Sequence, residues 1–214
     1  MAAAVEKRGT AREDIALVAV TKTVPAEIIN QAINNGIMTI GENKVQEARE
    51  KFDYISQPVE KHMIGHLQRN KVKYAVKLFD MIQSLDSLRL AEEINLRTQT
   101  KMPILIEVNT SGESSKNGCH PREAINLMKE ISLMPNLGIN GFMTIGLFSD
   151  DAEKVRPCFK TLKQIYDEAQ SLNLPNTNIS VLSMGMTADF EIAIEEGANM
   201  VRIGTAIFGP RSAH

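Results

Sequence analysis

Short apolar runs alternate along the chain with longer stretches in which apolar residues recur every three or four positions. IALVAV, residues 15–20, is a continuous run of strand length, and PAEIINQAINNG follows it with Pro25 at a helix start and Gly36 at its stop. IMTIG precedes ENKVQEAREKF, HMIGH precedes LQRNKVKYAVKLF, and MIQSL precedes DSLRLAEEINLRTQT, where Asp86 or Ser87 can cap. PILIEVNT leads through the polar loop SGESSKNGCH to PREAINLMKEISLM, and INGFMTIG leads to DAEKVRPCFKTLKQIYDEAQSL. ISVLSMG is followed by TADFEIAIEEG, and NMVRIG by TAIFGPR.

Eight strand-like segments, each followed by a helix or the start of one, predict a parallel sheet. The strands are apolar throughout rather than alternating, as when both faces are buried. A closed barrel and an open doubly wound sheet both satisfy this alternation; the count of eight favours a single (β/α)8 TIM barrel spanning residues 1–214. No internal linker or low-complexity segment divides the chain.

In a barrel the site lies at the carboxyl ends of the strands. The residues there are Lys22; Glu42 and Asn43; Gly65 and His66; Ser84; Asn109; Thr144; Ser183 and Gly185; and Arg202, Gly204 and Thr205. This is a polar ring on an apolar frame. Its one lysine, Lys22, is placed for Schiff-base chemistry, because a partly buried amine is more readily neutral and able to attack a carbonyl. The competing reading is a plain surface lysine at a strand end.

SMGM and RIGTAIFG place glycine beside a hydroxyl residue after strands seven and eight, the usual phosphate cradle of this fold. Gly185 and Gly204 would admit an anion to the backbone, and Ser183 and Thr205 would add hydroxyl donors. Two ordinary turns would look similar. Neither a Gly-Lys-Ser/Thr ending nor a G-x-G-x-x-G is present, so the anion would be a simple phosphate. Arg202 interrupts an apolar strand, which implies a partner: a carboxylate in the barrel wall or a ligand in the mouth. His62 and His66 are four apart on a strand, about 13 Å from one another, too far to share a metal ion, and no metal site is expected. The SGESSKNG loop reads as a mobile flap.

Composition narrows the field. The 214 residues are 43% apolar and 23% charged, with 24 basic and 26 acidic side chains for a net charge of -2. Neither sign forms a run, which argues against a nucleic-acid or polybasic membrane footprint. No apolar stretch reaches transmembrane length, and the opening MAAAVEKRGTARED lacks the apolar core of a signal peptide, so a cytoplasmic protein is expected. Cys119 and Cys158 read as free thiols of a reducing compartment.

The stretches VAVTKTVP, IGENKVQEA, HMIGHLQRNK, VNTSGESSKNG, GFMTIG and SMGMTADFEIAIEEGANMVRIGTAIFG occur in this order over nearly the whole chain from Ile15. Together they resemble the pyridoxal phosphate homeostasis protein family, relatives of the N-terminal barrel of alanine racemase among fold type III pyridoxal-phosphate proteins. The resemblance implies pyridoxal 5'-phosphate held as a Schiff base on Lys22. It implies phosphate contacts from Ser183, Gly185, Gly204 and Thr205, Arg202 facing the pyridine nitrogen, and Asn43 and His66 near the site. A carboxylate partner would keep the ring nitrogen protonated and the ring a strong electron sink; a guanidinium has no acceptor for that N–H, so the ring would stabilise carbanions poorly.

These features lead to an expected cofactor carrier in intracellular pyridoxal phosphate homeostasis and amino-acid/keto-acid balance, without robust catalysis. Pyridoxal-phosphate-dependent apoenzymes are candidate recipients, and a monomer is expected. A racemase would need a further β domain with an opposing tyrosine; the sequence closes at FGPRSAH, and Tyr54, Tyr74 and Tyr166 fall in or beside predicted helices. The alternatives are a weak racemase or lyase drawing on His66, a class I aldolase using Lys22 on a sugar phosphate, and a pure partner-binding module.

Overall fold

The computed structural model describes residues 2–9, 11–149 and 151–210. Eight strands form a closed, wholly parallel barrel in sequence order. They are β1 (Ala16–Val20), β2 (Thr39–Glu42), β3 (Glu60–Met63), β4 (Met81–Leu85), β5 (Met102–Glu107), β6 (Leu137–Met143), β7 (Thr177–Ser183) and β8 (Met200–Ile203). Closure comes from β1 against β8, with Ala16 opposite Met200 and Val18 opposite Arg202. This register brings the turn after β1 beside the turn after β8.

The helices lie between the strands: α1 (Ala2–Arg8) ahead of β1, then α2 (Ala26–Asn34), α3 (Val45–Lys51), α4 (Val72–Leu78), α5 (Leu88–Arg97) and α6 (Ala124–Ile131). After these come α7 (Ala152–Gln170), α8 (Phe190–Glu195) and α9 (Thr205–Phe208). Pro25 caps α2 from its extended side, as the sequence indicated. Ser87 is the cap residue of α5, but its hydroxyl bonds Asp86 rather than a helix amide. The short α1 seals α8: Val5 is buried, Lys7 pairs with Glu195 at 2.7 Å, and Arg8 donates to the Ala198 carbonyl.

Two apolar layers hold the molecule. The outer one packs helices on strands through Ile29, Ile40, Ile82, Ile104, Phe142, Phe159 and Val201, all fully buried. A smaller inner one holds Val18, Val20, Ile64 and Met200 inside the barrel, with Val181 against them. A Cβ on Gly141 would lie 1.8 Å from the Val181 carbonyl oxygen, so only glycine lets β6 and β7 meet where their register shifts. β7 departs from the apolar pattern. Its first half alternates between exposed and half-buried, and only Leu182 and Ser183 are fully enclosed. Among the described residues, no helix is long and apolar enough to cross a membrane.

Candidate functional site

Lys22 lies two residues beyond β1, half-buried, in a turn whose next residue, Thr23, has φ 63°. A β-branched residue rarely adopts this left-handed conformation, so the surroundings must impose it. Thr23 and Val24 share a cleft of about 250 Å³ with Gly204, Thr205 and Phe208. The Lys22 turn and the Gly204–Thr205 turn therefore converge, as barrel closure requires. Thr205 and Ala206 open α9 and are exposed. The first amides of a helix have no carbonyl partner within it, so this turn offers donors to an anion.

Below the mouth, the barrel interior holds a polar network beside its apolar cluster. Arg202, 3% exposed, donates from Nη1 to Ser183 Oγ at 2.6 Å and from Nη2 to the Thr144 carbonyl at 2.7 Å. Ser183 Oγ donates to Gln83 Oε1 at 2.7 Å, and Gln83 Nε2 bonds His62 Nδ1 at 2.8 Å and the Met200 sulfur at 3.2 Å. β4 neighbours neither β7 nor β8, so the bonds from Gln83 cross the barrel's interior. The amide nitrogen can only donate, which makes Nδ1 of His62 the acceptor and puts its proton on Nε2. Burial holds His62 down to about 4, so it is neutral.

Arg202 also feels two carboxyls, Glu107 and Asp189, which oppose the desolvation that pulls its guanidinium down to about 10. Glu107 is 3% exposed, and burial pushes it up to about 7, with Asp86 adding to the rise and Arg202 opposing it. Its Oε2 has no hydrogen-bond partner, and neither has Ser84 Oγ at the end of β4. Asp189, raised chiefly by burial, accepts the Met186 amide at 2.6 Å and so closes the SMGM turn.

Two sequence expectations change in their physical basis. The single hydroxyl hydrogen of Ser183 goes to Gln83, so Ser183 is not a hydroxyl donor to an anion in this arrangement. Gly185, at φ 92°, makes room for α8: a Cβ there would lie 2.6 Å from the Ala193 Cβ and 2.9 Å from the Phe190 Cα. Only its backbone is left to face a ligand. Asn43 and His66 line a separate cleft of about 370 Å³ with Lys44 and Lys71, and His66 Nδ1 stands 3.3 Å from Asp86 at the rim. The SGESSKNG loop is pinned rather than loose. The Asn109 amide donates to the carbonyls of Glu113 and Lys116, and Lys116 reaches the Gly146 carbonyl at 2.9 Å. Both cysteines are free and buried, and burial pushes the Cys119 thiol up to about 12.

Sequence reasoning passed over Gln83 and Glu107. The signal for Glu107 was the one that singled out Arg202, a charge inside an apolar strand (PILIEVNT). Gln83 in MIQSL had the same mark more faintly. Lys51 and Glu47 carried none, since a helix such as ENKVQEAREKF is expected to be charged.

Residues 4–212 match the family described as alanine racemase, N-terminal domain. The pyridoxal phosphate homeostasis protein of Aquifex aeolicus is 42% identical over 212 residues, covering 97% of this chain and 92% of that one. The chain belongs to the pyridoxal phosphate homeostasis protein family. The human protein of that name is 40% identical over 211 residues, covering 91% of this chain and 76% of its own. Among solved structures, PipY of Synechococcus elongatus with PLP bound superposes with a TM-score of 0.84 at 29% identity, over 96% of this chain and all of PipY. Family membership agrees with the closed parallel barrel.

Proposed function

We propose that the barrel mouth binds pyridoxal 5'-phosphate, with Lys22 as the covalent anchor for its aldehyde. The observation that carries this is the shared cleft: Thr23 and Val24, in the turn that carries Lys22, line it together with Gly204 and Thr205 at an open helix start across the β1–β8 seam. The residues fit the group part by part. Lys22 supplies the amine. The backbone of Gly204 and Thr205 and the Thr205 hydroxyl receive the phosphate, with the Gly185 turn alongside. Arg202 is assigned to the pyridine nitrogen; Asn43 and His66 line a cleft of their own and are assigned no contact with the group. Ser84 Oγ and Glu107 Oε2, buried without partners, supply further polar contacts at this end of the barrel. The PLP-bound structure of PipY supports the reading.

Bound pyridoxal phosphate supplies an electrophilic aldehyde on an electron-withdrawing ring. Arg202, kept protonated, can only donate, so it would pair with an unprotonated ring nitrogen and leave the ring a weak electron sink, and its guanidinium is already tethered to Ser183 and Thr144. This chain's residues therefore hold and orient the group more than they activate it. The function is storage and delivery of the cofactor in the cytoplasm, by a monomer, to apoenzymes that require it, with no robust catalysis.

The test is a mass spectrum of the purified protein after borohydride reduction, alongside Lys22→Ala. A reduced pyridoxyl-phosphate adduct on Lys22, absent from the variant, is expected. No adduct even with added pyridoxal phosphate, but one with a sugar phosphate, would replace this reading with a Schiff-base aldolase.

A further inference from the structure

The turn that carries Lys22 is tied down on both sides by one partly buried ammonium. Lys51, the last residue of α3, is 12% exposed at its side chain, and its Nζ lies 2.7 Å from the Thr21 carbonyl and 3.3 Å from the Val24 carbonyl. Those two carbonyls bracket Lys22 and Thr23. The same Nζ sits 2.6 Å from Glu42 Oε1 and 2.7 Å from Glu47 Oε1. Glu47 Oε1 in turn accepts the Thr23 amide, and the Thr21 hydroxyl donates to Glu42 Oε1 at 2.7 Å. Four oxygens thus surround an ammonium with three hydrogens, and residues 21, 23 and 24 all connect to it directly or through a carboxylate.

Ordinary packing does not ask for this arrangement. A lysine at a helix end normally reaches solvent, and enclosing it with two carboxylates carries a desolvation cost on every charge. What the cluster secures is a strained backbone: Thr23 at φ 63° is held there by the bond from its amide to Glu47. Strain kept in place beside a reactive group is usually part of how that group is aimed. Glu42 is fully buried at the end of β2, so the clamp refers the Lys22 turn to the barrel wall rather than to a loop.

We infer that Lys51 and Glu47 are positioning residues for Lys22, fixing the turn so that its amine meets the aldehyde of the bound cofactor in attacking geometry. This rests on the reading of Lys22 as the covalent anchor. Lys51 and Glu47 bond the main chain around Lys22 and each other, and Lys51 also bonds Glu42 in the barrel wall, so their effect falls on capture of the aldehyde and not on recognition of the phosphate or ring.

The experiment compares wild type with Lys51→Met, Glu47→Ala and Glu47→Gln in the full chain. The rate of covalent capture of pyridoxal phosphate is followed by absorbance, and affinity is measured for 4'-deoxypyridoxine phosphate, which lacks the aldehyde. Hydrogen exchange at the Thr23 amide is followed in parallel. Lys51→Met and Glu47→Ala are expected to slow capture by about tenfold or more, the scale of a small misplacement of a reacting group. Affinity for the analogue should hold, and the Thr23 amide should exchange faster. Glu47→Gln keeps an acceptor for that amide and should stay near wild type.

Capture at the wild-type rate in Glu47→Ala would overturn the inference, as would parallel losses of capture and analogue affinity. If Lys51→Met does not fold, Glu47→Ala and Glu47→Gln decide the matter. If wild type binds neither compound, the cofactor reading fails on its own. Thr23 exchange then tests the clamp, and unchanged protection in Glu47→Ala would end it.

Discussion

Arg202 and Ser183 meet inside the barrel, Nη1 to Oγ at 2.6 Å, across the seam between β7 and β8. The contact turns a serine expected at a phosphate into the acceptor that holds an arginine. Ser183→Ala would remove that acceptor and the donor to Gln83 together, both in a fully buried place. A loss of about 1–3 kcal/mol in urea unfolding is expected. Any fall in affinity should be equal for pyridoxal and pyridoxal phosphate, since the hydroxyl acts on Arg202 and not on the phosphate; a loss confined to the phosphorylated ligand would contradict this.

Glu107 makes the fold sensitive to pH. Unfolded, its carboxyl titrates near the ordinary 4.5; folded, burial keeps the proton on up to about 7. Between those values the unfolded chain binds fewer protons, so this group's contribution to stability falls as pH rises through the window. Glu107→Gln should therefore gain on wild type from pH 4.5 to above 7, by on the order of 3 kcal/mol. His62 acts in the opposite sense: held down to about 4 from 6.5, it removes stability as pH falls through that range. Urea midpoints of the two proteins at pH 5 and pH 8 isolate Glu107, because His62 is common to both. A constant difference would refute the shift.

Two barrel glycines should respond very differently to alanine. At Gly141 the new Cβ would strike the Val181 backbone oxygen, with φ at 151°, and neither partner can yield. A loss of about 4 kcal/mol or more is expected. At Gly41 it would meet Ile64 Cδ1 and Val18 Cγ1 at 2.8 Å, ends of side chains that can shift, for a cost of about 1–3 kcal/mol. Thermal midpoints of the two variants should rank in that order.

Thr23 and Asn176 share a left-handed backbone, at φ 63° and 57°, yet glycine should act on them with opposite signs. At Thr23 it relieves about 1–3 kcal/mol of strain against a smaller entropic loss, so Thr23→Gly should stabilise by about 1 kcal/mol. Asparagine tolerates the conformation, and the Asn176 side chain bonds the Ser132 carbonyl at 3.0 Å and Lys101 at 2.6 Å. Asn176→Gly should destabilise. Matched urea titrations measure both.

The eightfold alternation of short apolar runs with helical periods was legible because a strand buried on both faces has no choice but to be apolar throughout. The same logic exposed Arg202, and Lys22 stood out as a cation directly after such a run. Barrel closure followed from the count, and with it the meeting of the first and last turns, since β1 must pair with β8. What the chain order could not convey was direction. Whether the Ser183 hydroxyl faces the mouth or the interior depends on barrel geometry that sets Gln83 of β4 across from β7 and β8. Gly185 looked like an opening for an anion until α8 was seen to fill the space beside it. Lys51 and Glu47 were indistinguishable from any charged helix surface, because only the packing of α3 behind the β1 turn brings them to the main chain around Lys22. Periodicity along a chain records which side of an element is buried; which buried groups touch is decided by elements far apart in sequence, and only the folded structure brings those together.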